Sequence, residues 1–180
     1  EGYNYTSILG KLIQSGGALT PRALALEIPK EAIAAWPSTN FTTSSAIDLA
    51  KIAEVAAATD LVAKRLLTVA PAHTEAIKTA WSTVLYHDGS VKYKLADLGH
   101  YATLLNAIPD DSLRSAVATL QTALGEAVIA NHYRTSLPSS GLSIYLTTAA
   151  GFDASTQQSY TGMAFSTFHW DEWLRGQPSW

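Results

Sequence analysis

The strongest constraint on the fold is an alanine-rich stretch, residues 46–67, in which larger apolar residues recur at helical spacing. This period places those residues on one face and predicts a long amphipathic helix, with Ser45 as its N-cap. Because alanine is the smallest helix-forming side chain, its abundance predicts close packing against other helices rather than a solvated rod. The apolar stripe consists of Ile47, Ile52, Val55, Val62 and Leu66.

The helical period recurs along most of the chain. It predicts further long helices over residues 74–86 and 95–108, and another that starts after an Asp110 or Asp111 cap and continues to Val128. Shorter helices are expected around residues 8–13, from Pro21 onward and near the C-terminus over residues 163–174, with the stretch after Gly151 forming a loop. Pro29 should kink or end the second of these short helices, because proline lacks the backbone N–H and its ring clashes with the preceding turn. We therefore expect a mainly α chain.

A single segment has a clear strand pattern. Residues 142–147 alternate with period two, which places Leu142, Ile144 and Leu146 on one face. A lone strand cannot satisfy its own backbone groups, and residues 41–43 and 91–94 are too weak as strands to supply a whole sheet. We expect this strand to pair with an upstream chain, a symmetry-related copy or a weak local hairpin.

The helical stripes predict one common core. If the helices pack as their apolar faces require, the same ten side chains should be buried together. These are Ile47, Ile52, Val55, Leu98, Leu104, Leu105, Leu113, Val117, Leu120 and Leu124.

Composition excludes several classes of protein. With 47% hydrophobic and 15% charged residues, the chain is not intrinsically disordered. Lys and Arg number 12 against 15 Asp and Glu, without a basic cluster, so we expect no nucleic-acid partner. No apolar run reaches the roughly 20 residues that a membrane span requires. Cysteine is absent, which excludes disulfides, thiolate metal ligands and a cysteine nucleophile supplied by this chain.

No motif in the chain predicts a self-contained active site. The five histidines include no pair at i, i+4 spacing, so we predict no metal site. The run His87-Asp88-Gly89 favours a turn over an oriented base, since Asp-Gly is a turn signal. Ser139-Ser140-Gly141 lacks the G-x-S-x-G elbow of serine hydrolases. The residues alone therefore predict no catalytic residue and no cofactor.

Four runs of residues carry a resemblance. They read Thr-Ser-Ser-Ala-Ile-Asp-Leu-Ala-Lys-Ile from Thr43, Leu-Ala-Asp-Leu-Gly-His-Tyr-Ala from Leu95, Ser-Gly-Leu-Ser-Ile-Tyr-Leu from Ser140, and Met-Ala-Phe from Met163 with Trp-Asp-Glu-Trp-Leu from Trp170. In this order they resemble segments of the clostripain family of cysteine peptidases. The opening Glu-Gly-Tyr-Asn-Tyr, followed by Ile8 and Leu9, is similar to the segment that follows that family's catalytic cysteine. The chain departs from the family at Leu146-Thr147, where Phe-Pro is usual, and at Tyr3 and Asn4, where Gly-Trp is usual.

The resemblance implies a parent protein with a caspase-like α/β sandwich and a helical C-terminal region. Its His–Cys dyad would lie upstream, so this chain would be the non-catalytic C-terminal part of an endopeptidase that cleaves after basic residues, arginine preferred. It would support the catalytic sheet and line a wall of the specificity pocket. The implied partners are the upstream polypeptide that carries the dyad and a protein or peptide substrate. The implied location is extracellular or on a bacterial cell surface. The family allows calcium, for which this sequence shows no site.

The resemblance also divides the chain and assigns binding residues. Residues 1–180 would be one C-terminal region, with 1–40 following the catalytic site, 41–136 a helical bundle, and 137–180 a strand plus the C-terminal helix. Glu1, Tyr3 and Tyr5 would lie near the specificity pocket, where a carboxylate can pair with a basic side chain. A frayed, exposed N-terminus is the other interpretation of these three residues. The competing function is a standalone helical protein-binding module or the remnant of an inactive homologue.

Overall fold

The computed structural model describes residues 5–35, 43–87, 94–134 and 137–177. Within them the chain is mainly helical, as predicted, with two small two-stranded antiparallel sheets. The helices are α1 (Tyr5–Gln14), α2 (Pro21–Ala35), α3 (Ile52–Thr83), α4 (Leu98–Leu105), α5 (Asp111–Ala127), α6 (Ala154–Thr161) and α7 (Trp170–Gly176). The strands are β1 (Thr43–Ile47), β2 (Leu95–Asp97), β3 (Val128–Tyr133) and β4 (Ser143–Tyr145).

The centre of the protein is the pair formed by α3 and α5, against which α4 and α7 also pack. Both long helices bury several alanines, and Ala63 of α3 and Ala127 of α5 are completely buried. Small side chains let two helix axes approach closely, so the abundance of alanine has the packing role that the sequence predicts.

The predicted core is confirmed. Seven of the ten side chains are buried, Ile47 and Leu104 are partly buried against the same core, and Ile52 is half-buried at its edge. The seven are Val55, Leu98, Leu105, Leu113, Val117, Leu120 and Leu124.

Two breaks expected within helices have different outcomes. α3 contains the two helices expected over residues 46–67 and 74–86, and non-helical dihedrals at His73 (φ −129°, ψ 25°) mark the kink between them, so the break predicted there is confirmed. Pro71 lies two residues earlier, and its missing N–H weakens the ladder of hydrogen bonds at this point. Pro29 does not end α2, which continues to Ala35.

β1 and β3 form the first sheet and correct both adjoining helix predictions. Thr43 lies opposite Tyr133 and Ile47 opposite Val128, with a register shift between Ala46 and Ile47. The expected helix start at Ala46 is therefore wrong, whereas the helix expected to continue to Val128 ends one residue earlier, at Ala127. Pairing between these two segments overrides the helical period that Ile47 and Val128 continue. α2 packs on both strands, and α1 packs on α2.

β2 and β4 form the second sheet, so the strand predicted over residues 142–147 has a partner within this chain. β2 also bonds on its other side, where Asp97 N–H donates to Leu85 C=O at 2.8 Å and His87 N–H to Leu95 C=O at 3.1 Å. The helix predicted from Leu95 begins only at Leu98, since residues 95–97 are extended and Asp97 is the N-cap.

The C-terminal segment is more helical than expected. α6 occupies part of the stretch after Gly151 that was predicted to be a loop, with Asp153 as its N-cap. The helix predicted over residues 163–174 is split into a short 3₁₀ turn (Ala164–Thr167) and α7, which packs on α3.

Candidate functional site

Strand β4 has one paired edge and one edge that faces outward. Leu146 N–H donates to Lys94 C=O at 2.8 Å, so the backbone groups of even-numbered residues here point toward β2. In an antiparallel pair the groups of alternate residues point the opposite way. The N–H and C=O groups of Ser143 and Tyr145 therefore form an outward edge, which we call the β4 edge.

A tryptophan covers one end of the β4 edge. The indole Nε1–H of Trp170 donates to Tyr145 C=O at 2.8 Å. Trp170 is buried and packs edge-on against Tyr101, with the ring centroids 6.3 Å apart. Ser143 is exposed, and its backbone groups have no hydrogen-bond partner among the residues described. The β4 edge is thus open at Ser143 and covered by Trp170 at the carbonyl of Tyr145.

An apolar cavity of about 260 Å³ lies along the same strand. We call it the β4 groove. Its lining includes Ile52 and Val55 from α3, Ile144 and Tyr145 from β4, and Met163 and Phe165 from the segment after α6. The β4 groove would accept apolar side chains, whereas the β4 edge offers backbone hydrogen bonds, and together they fit an extended polypeptide.

A buried carboxylate, Asp97, holds β4 in place. One oxygen of Asp97 accepts from His87 Nε2 at 2.8 Å and from Ser140 N–H at 2.7 Å. The other accepts from His100 N–H at 2.8 Å and from the Ser140 hydroxyl. Because each oxygen has two donors, the side chain is fully satisfied, and it ties β2, α4 and the segment before β4 to one another.

The environment of Asp97 keeps it ionised. Burial alone would raise the pKa of this carboxyl, but hydrogen bonds from His87, Ser140 and His100 outweigh it and lower the pKa to about 2. A carboxylate that accepts several N–H and O–H bonds is stabilised in its charged form even without solvent. Asp97 is therefore a structural anion at neutral pH.

Two glycines make this arrangement sterically possible. A Cβ on Gly99 would lie 2.5 Å from Cβ of Ser140, so only glycine lets Ser140 approach the first turn of α4. Gly141 has φ +100°, and a Cβ there would lie 2.7 Å from Cγ1 of Val128. Ser140 and Gly141 thus form a closely packed bend that leads into β4.

The cluster of Asp97, His87 and Ser140 is not a hydrolase triad. In such a triad the serine hydroxyl bonds to the histidine, whereas here Ser140 donates to the carboxylate. His87 itself lies in a turn, as predicted, while Asp88 and Gly89 fall outside the described residues. The Nδ1 atom of His87 is buried and has no partner among described residues. The geometry thus makes this cluster a clamp on β4.

The described part of the chain contains no group of three or more His, Asp or Glu residues arranged to hold a metal ion. His169 bonds instead to Asp60, with its ring Nδ1 and backbone N–H both 2.7–2.8 Å from the same carboxylate oxygen. None of the helices described is long and apolar enough to cross a membrane.

The residues predicted to bind substrate are not brought to this region by the described structure. Glu1 and Tyr3 lie outside the described residues, and Tyr5 begins α1 with 65% of its surface exposed. Sequence reasoning missed Asp97 and Trp170. The sequence does contain a signal for Asp97, because an aspartate three residues before the backbone N–H from which its side chain accepts, here that of His100, has the spacing of a helix N-cap. Nothing local to Trp170 indicates its bond to β4.

No protein-family model, curated protein or solved structure matches this chain. The function must therefore be argued from the residues and their geometry.

Proposed function

We propose that this chain is the non-catalytic C-terminal portion of a clostripain-like cysteine endopeptidase that cleaves after basic residues, with arginine preferred. In this proposal it supports the catalytic sheet of an upstream polypeptide, which carries the His–Cys dyad. The observation that carries the proposal is spatial. The four runs that resemble the family are far apart in sequence, yet they meet around β4.

The second and third runs meet through the second sheet. β2 belongs to the run from Leu95 and β4 to the run from Ser140, and they pair with Ala96 opposite Ile144. Asp97 and Ser140 add the buried hydrogen bonds described above. Residues that resemble one family at two places thus contact each other directly, which chance similarity gives no reason to expect.

The first and fourth runs reach the same strand. Ile52, at the end of the run from Thr43, and Met163, at the start of the fourth, both line the β4 groove. Trp170 of the fourth run bonds to Tyr145 C=O. The residues of the four runs thus surround one strand whose outer edge is open at Ser143, which is what a segment that docks onto a larger sheet requires.

The chemistry also requires a second polypeptide segment. A cysteine peptidase needs a thiolate next to an imidazole, and these 180 residues contain no cysteine. The proposed role is therefore to receive a strand of the catalytic half along the β4 edge. Glu1 would supply a carboxylate to the specificity pocket in the assembled enzyme.

The test is reconstitution. The purified 180-residue chain should hydrolyse no arginyl amide above the uncatalysed rate, and adding the upstream polypeptide should restore turnover that thiol alkylation abolishes. Changing Glu1 to Gln in the assembled enzyme should lower kcat/KM for arginyl substrates. Turnover by the isolated chain that survives repurification and resists alkylation would overturn the proposal.

The docking site can be tested separately with a proline. Ser143→Pro removes the outward N–H of the β4 edge without removing a bond to β2, and should lower reconstituted activity at least tenfold. Asp111→Pro is the matched control, because it lies at the first position of α5, where proline is tolerated. Equal reconstituted activity of the two variants would show that the β4 edge is not part of the interface with the catalytic half.

A further inference from the structure

Strand β1 has one edge paired with β3 and a second edge that faces outward. Asp48 N–H donates to Ala127 C=O at 2.8 Å, so the backbone groups of even-numbered residues here point toward β3. In an antiparallel pair the groups of alternate residues point the opposite way. The N–H and C=O groups of Thr43, Ser45 and Ile47 therefore form an outward row, which we call the β1 edge. None of these groups has a hydrogen-bond partner among the residues described.

The β1 edge lacks the features that usually keep a second strand away. Charged side chains, proline and bulges are the common protections of an edge strand. β1 reads Thr-Ser-Ser-Ala-Ile, without charge or proline, and each of its residues is partly exposed. The extra residue at the register shift is Ile129 of β3, so β1 itself stays regular. The β1 edge is thus able to receive an extended polypeptide backbone.

An exposed leucine of α2 lies on the side of that helix that faces the end of β1. Arg22 contacts Asp48, the residue immediately after β1, at 3.4 Å. Leu26 is one helical turn further along the same side of α2, and 42% of its surface is exposed. α2 packs on both strands of the sheet, and a helix is about as wide as two strands. An identical sheet placed beside the β1 edge would therefore bring its own α2 next to this one, at Leu26.

The β1 edge is complementary to a second copy of itself. In an antiparallel pair related by a twofold axis at Ser45, Thr43 lies opposite Ile47 of the second copy, and Ser45 lies opposite its own counterpart. This register uses every outward backbone group, because the three residues share the same alternation. β-branched side chains then face each other, two hydroxyls meet at the axis and no like charges are opposed, which are favourable cross-strand pairs. A second copy thus supplies both the backbone and the side chains that this edge accepts.

We propose that this chain forms a homodimer in which the β1 strands of two copies pair antiparallel about Ser45 and Leu26 of one copy packs on Leu26 of the other. Two sheets of two strands become one sheet in the order β3–β1–β1–β3, with the two α2 helices side by side on one face. A sheet of two strands is marginal by itself, and further strands stabilise it. The homodimer does not rest on the peptidase function, because the β1 edge includes neither the β4 edge nor the β4 groove.

Single cysteines test the register, because the natural chain contains none. Hydrogen-bonded residues directly opposite each other in an antiparallel pair have Cα atoms about 5.5 Å apart, within the range of a disulfide. Ser45→Cys should therefore give a disulfide-linked dimer on mild oxidation. Thr43→Cys is the matched control, because it lies on the same face of β1 but about 14 Å along the pair from its counterpart. Equal cross-linking of the two variants, or none of Ser45→Cys, would overturn the proposed register.

Sedimentation velocity measures the association itself. The natural chain should contain a dimer whose fraction rises with protein concentration. Leu26→Glu opposes two carboxylates across the twofold axis and should weaken dimerisation by about tenfold or more. Leu9→Glu is the matched control, because Leu9 is 53% exposed on α1, which bonds to α2 through Lys11 and Glu31 rather than on the Leu26 side, and it should dimerise as the natural chain does. A chain that stays monomeric at every concentration, or equal dimerisation of the two glutamate variants, would refute the β1 interface.

Discussion

Replacing Asp97 with Asn tests whether a buried anion holds β4. The amide keeps the size of the side chain but presents an NH₂ group toward the N–H of Ser140 or of His100. The pKa of Asp97 falls from its ordinary value of 3.8 to about 2, which corresponds to about 2.5 kcal/mol of stability at pH 7. With a donor facing a donor as well, we expect the variant to lose about 3 kcal/mol.

The pH dependence gives the sharper test of the same change. A carboxyl whose pKa is lowered on folding contributes stability above its unfolded pKa, and this contribution is lost as the pH falls through the folded value. For Asp97 the loss begins below about pH 4 and is largely complete near pH 2. The stability difference between the natural chain and Asp97→Asn should therefore shrink by about 1 kcal/mol between pH 7 and pH 3.

Urea denaturation followed by circular dichroism at several pH values measures this difference. Other carboxyls also have lowered pKa values, so the comparison must be between the two chains rather than along one curve. Asp111→Asn is the control, since that side chain is fully exposed, and it should change stability by less than about 0.5 kcal/mol. A difference for Asp97→Asn that stays constant from pH 7 to pH 3 would refute the proposed role of the anion.

Two further changes test the core and the entry to β4. Leu105→Ala removes a completely buried side chain and should cost about 2–5 kcal/mol in urea denaturation, whereas Leu49→Ala, 81% exposed, should cost under about 0.5 kcal/mol. Gly99→Ala places a methyl group against Ser140 and should cost about 1–3 kcal/mol, with ¹⁵N shift changes at Ser140; a neutral result would mean that the close approach is not required.

The sequence predicts α3 and α5 well because local and tertiary requirements agree there. Their apolar residues recur at helical spacing and face a common core, so periodicity alone identifies both the element and its buried side. The N-cap of α5 is also readable, since Asp110 accepts from Leu113 N–H three residues later.

The first sheet could not be predicted because its two strands are far apart in the sequence and each depends on the other for its conformation. Ser45 bonds to Asn131 across 86 positions of sequence. Ile47 and Val128 each continue the apolar period of the helix beside them, so the local preference at these two boundaries is ambiguous. Only the pairing partner decides between helix and strand, and a single sequence does not reveal that partner.

The candidate site is predictable only in part, because two of its defining hydrogen bonds also join residues that are far apart in the sequence. The period-two pattern of residues 142–147 identifies β4, and the spacing of Asp97 to His100 indicates a cap. The bond from Asp97 to Ser140 spans 43 positions, and the bond from Trp170 to Tyr145 spans 25. Neither leaves a local signal, so the clamp on β4 and the cover on its edge emerge only from the three-dimensional structure.

The indole of Trp170 limits how far a second strand can extend along the β4 edge. Because it occupies Tyr145 C=O, an incoming strand can use both backbone groups of Ser143 but must stop before the next acceptor. Short or covered edges are a common protection against uncontrolled strand pairing. Trp170→Phe keeps an aromatic ring against Tyr101 but removes the N–H and frees that acceptor; it should cost about 1 kcal/mol for the lost hydrogen bond, and more for the space that the smaller ring leaves in the core. We expect this variant to self-associate at lower concentration than the natural chain in sedimentation velocity, and adding Ser143→Lys to reverse this change by placing a charge on the edge. Unchanged sedimentation of Trp170→Phe would show that the indole fixes local packing without guarding the edge.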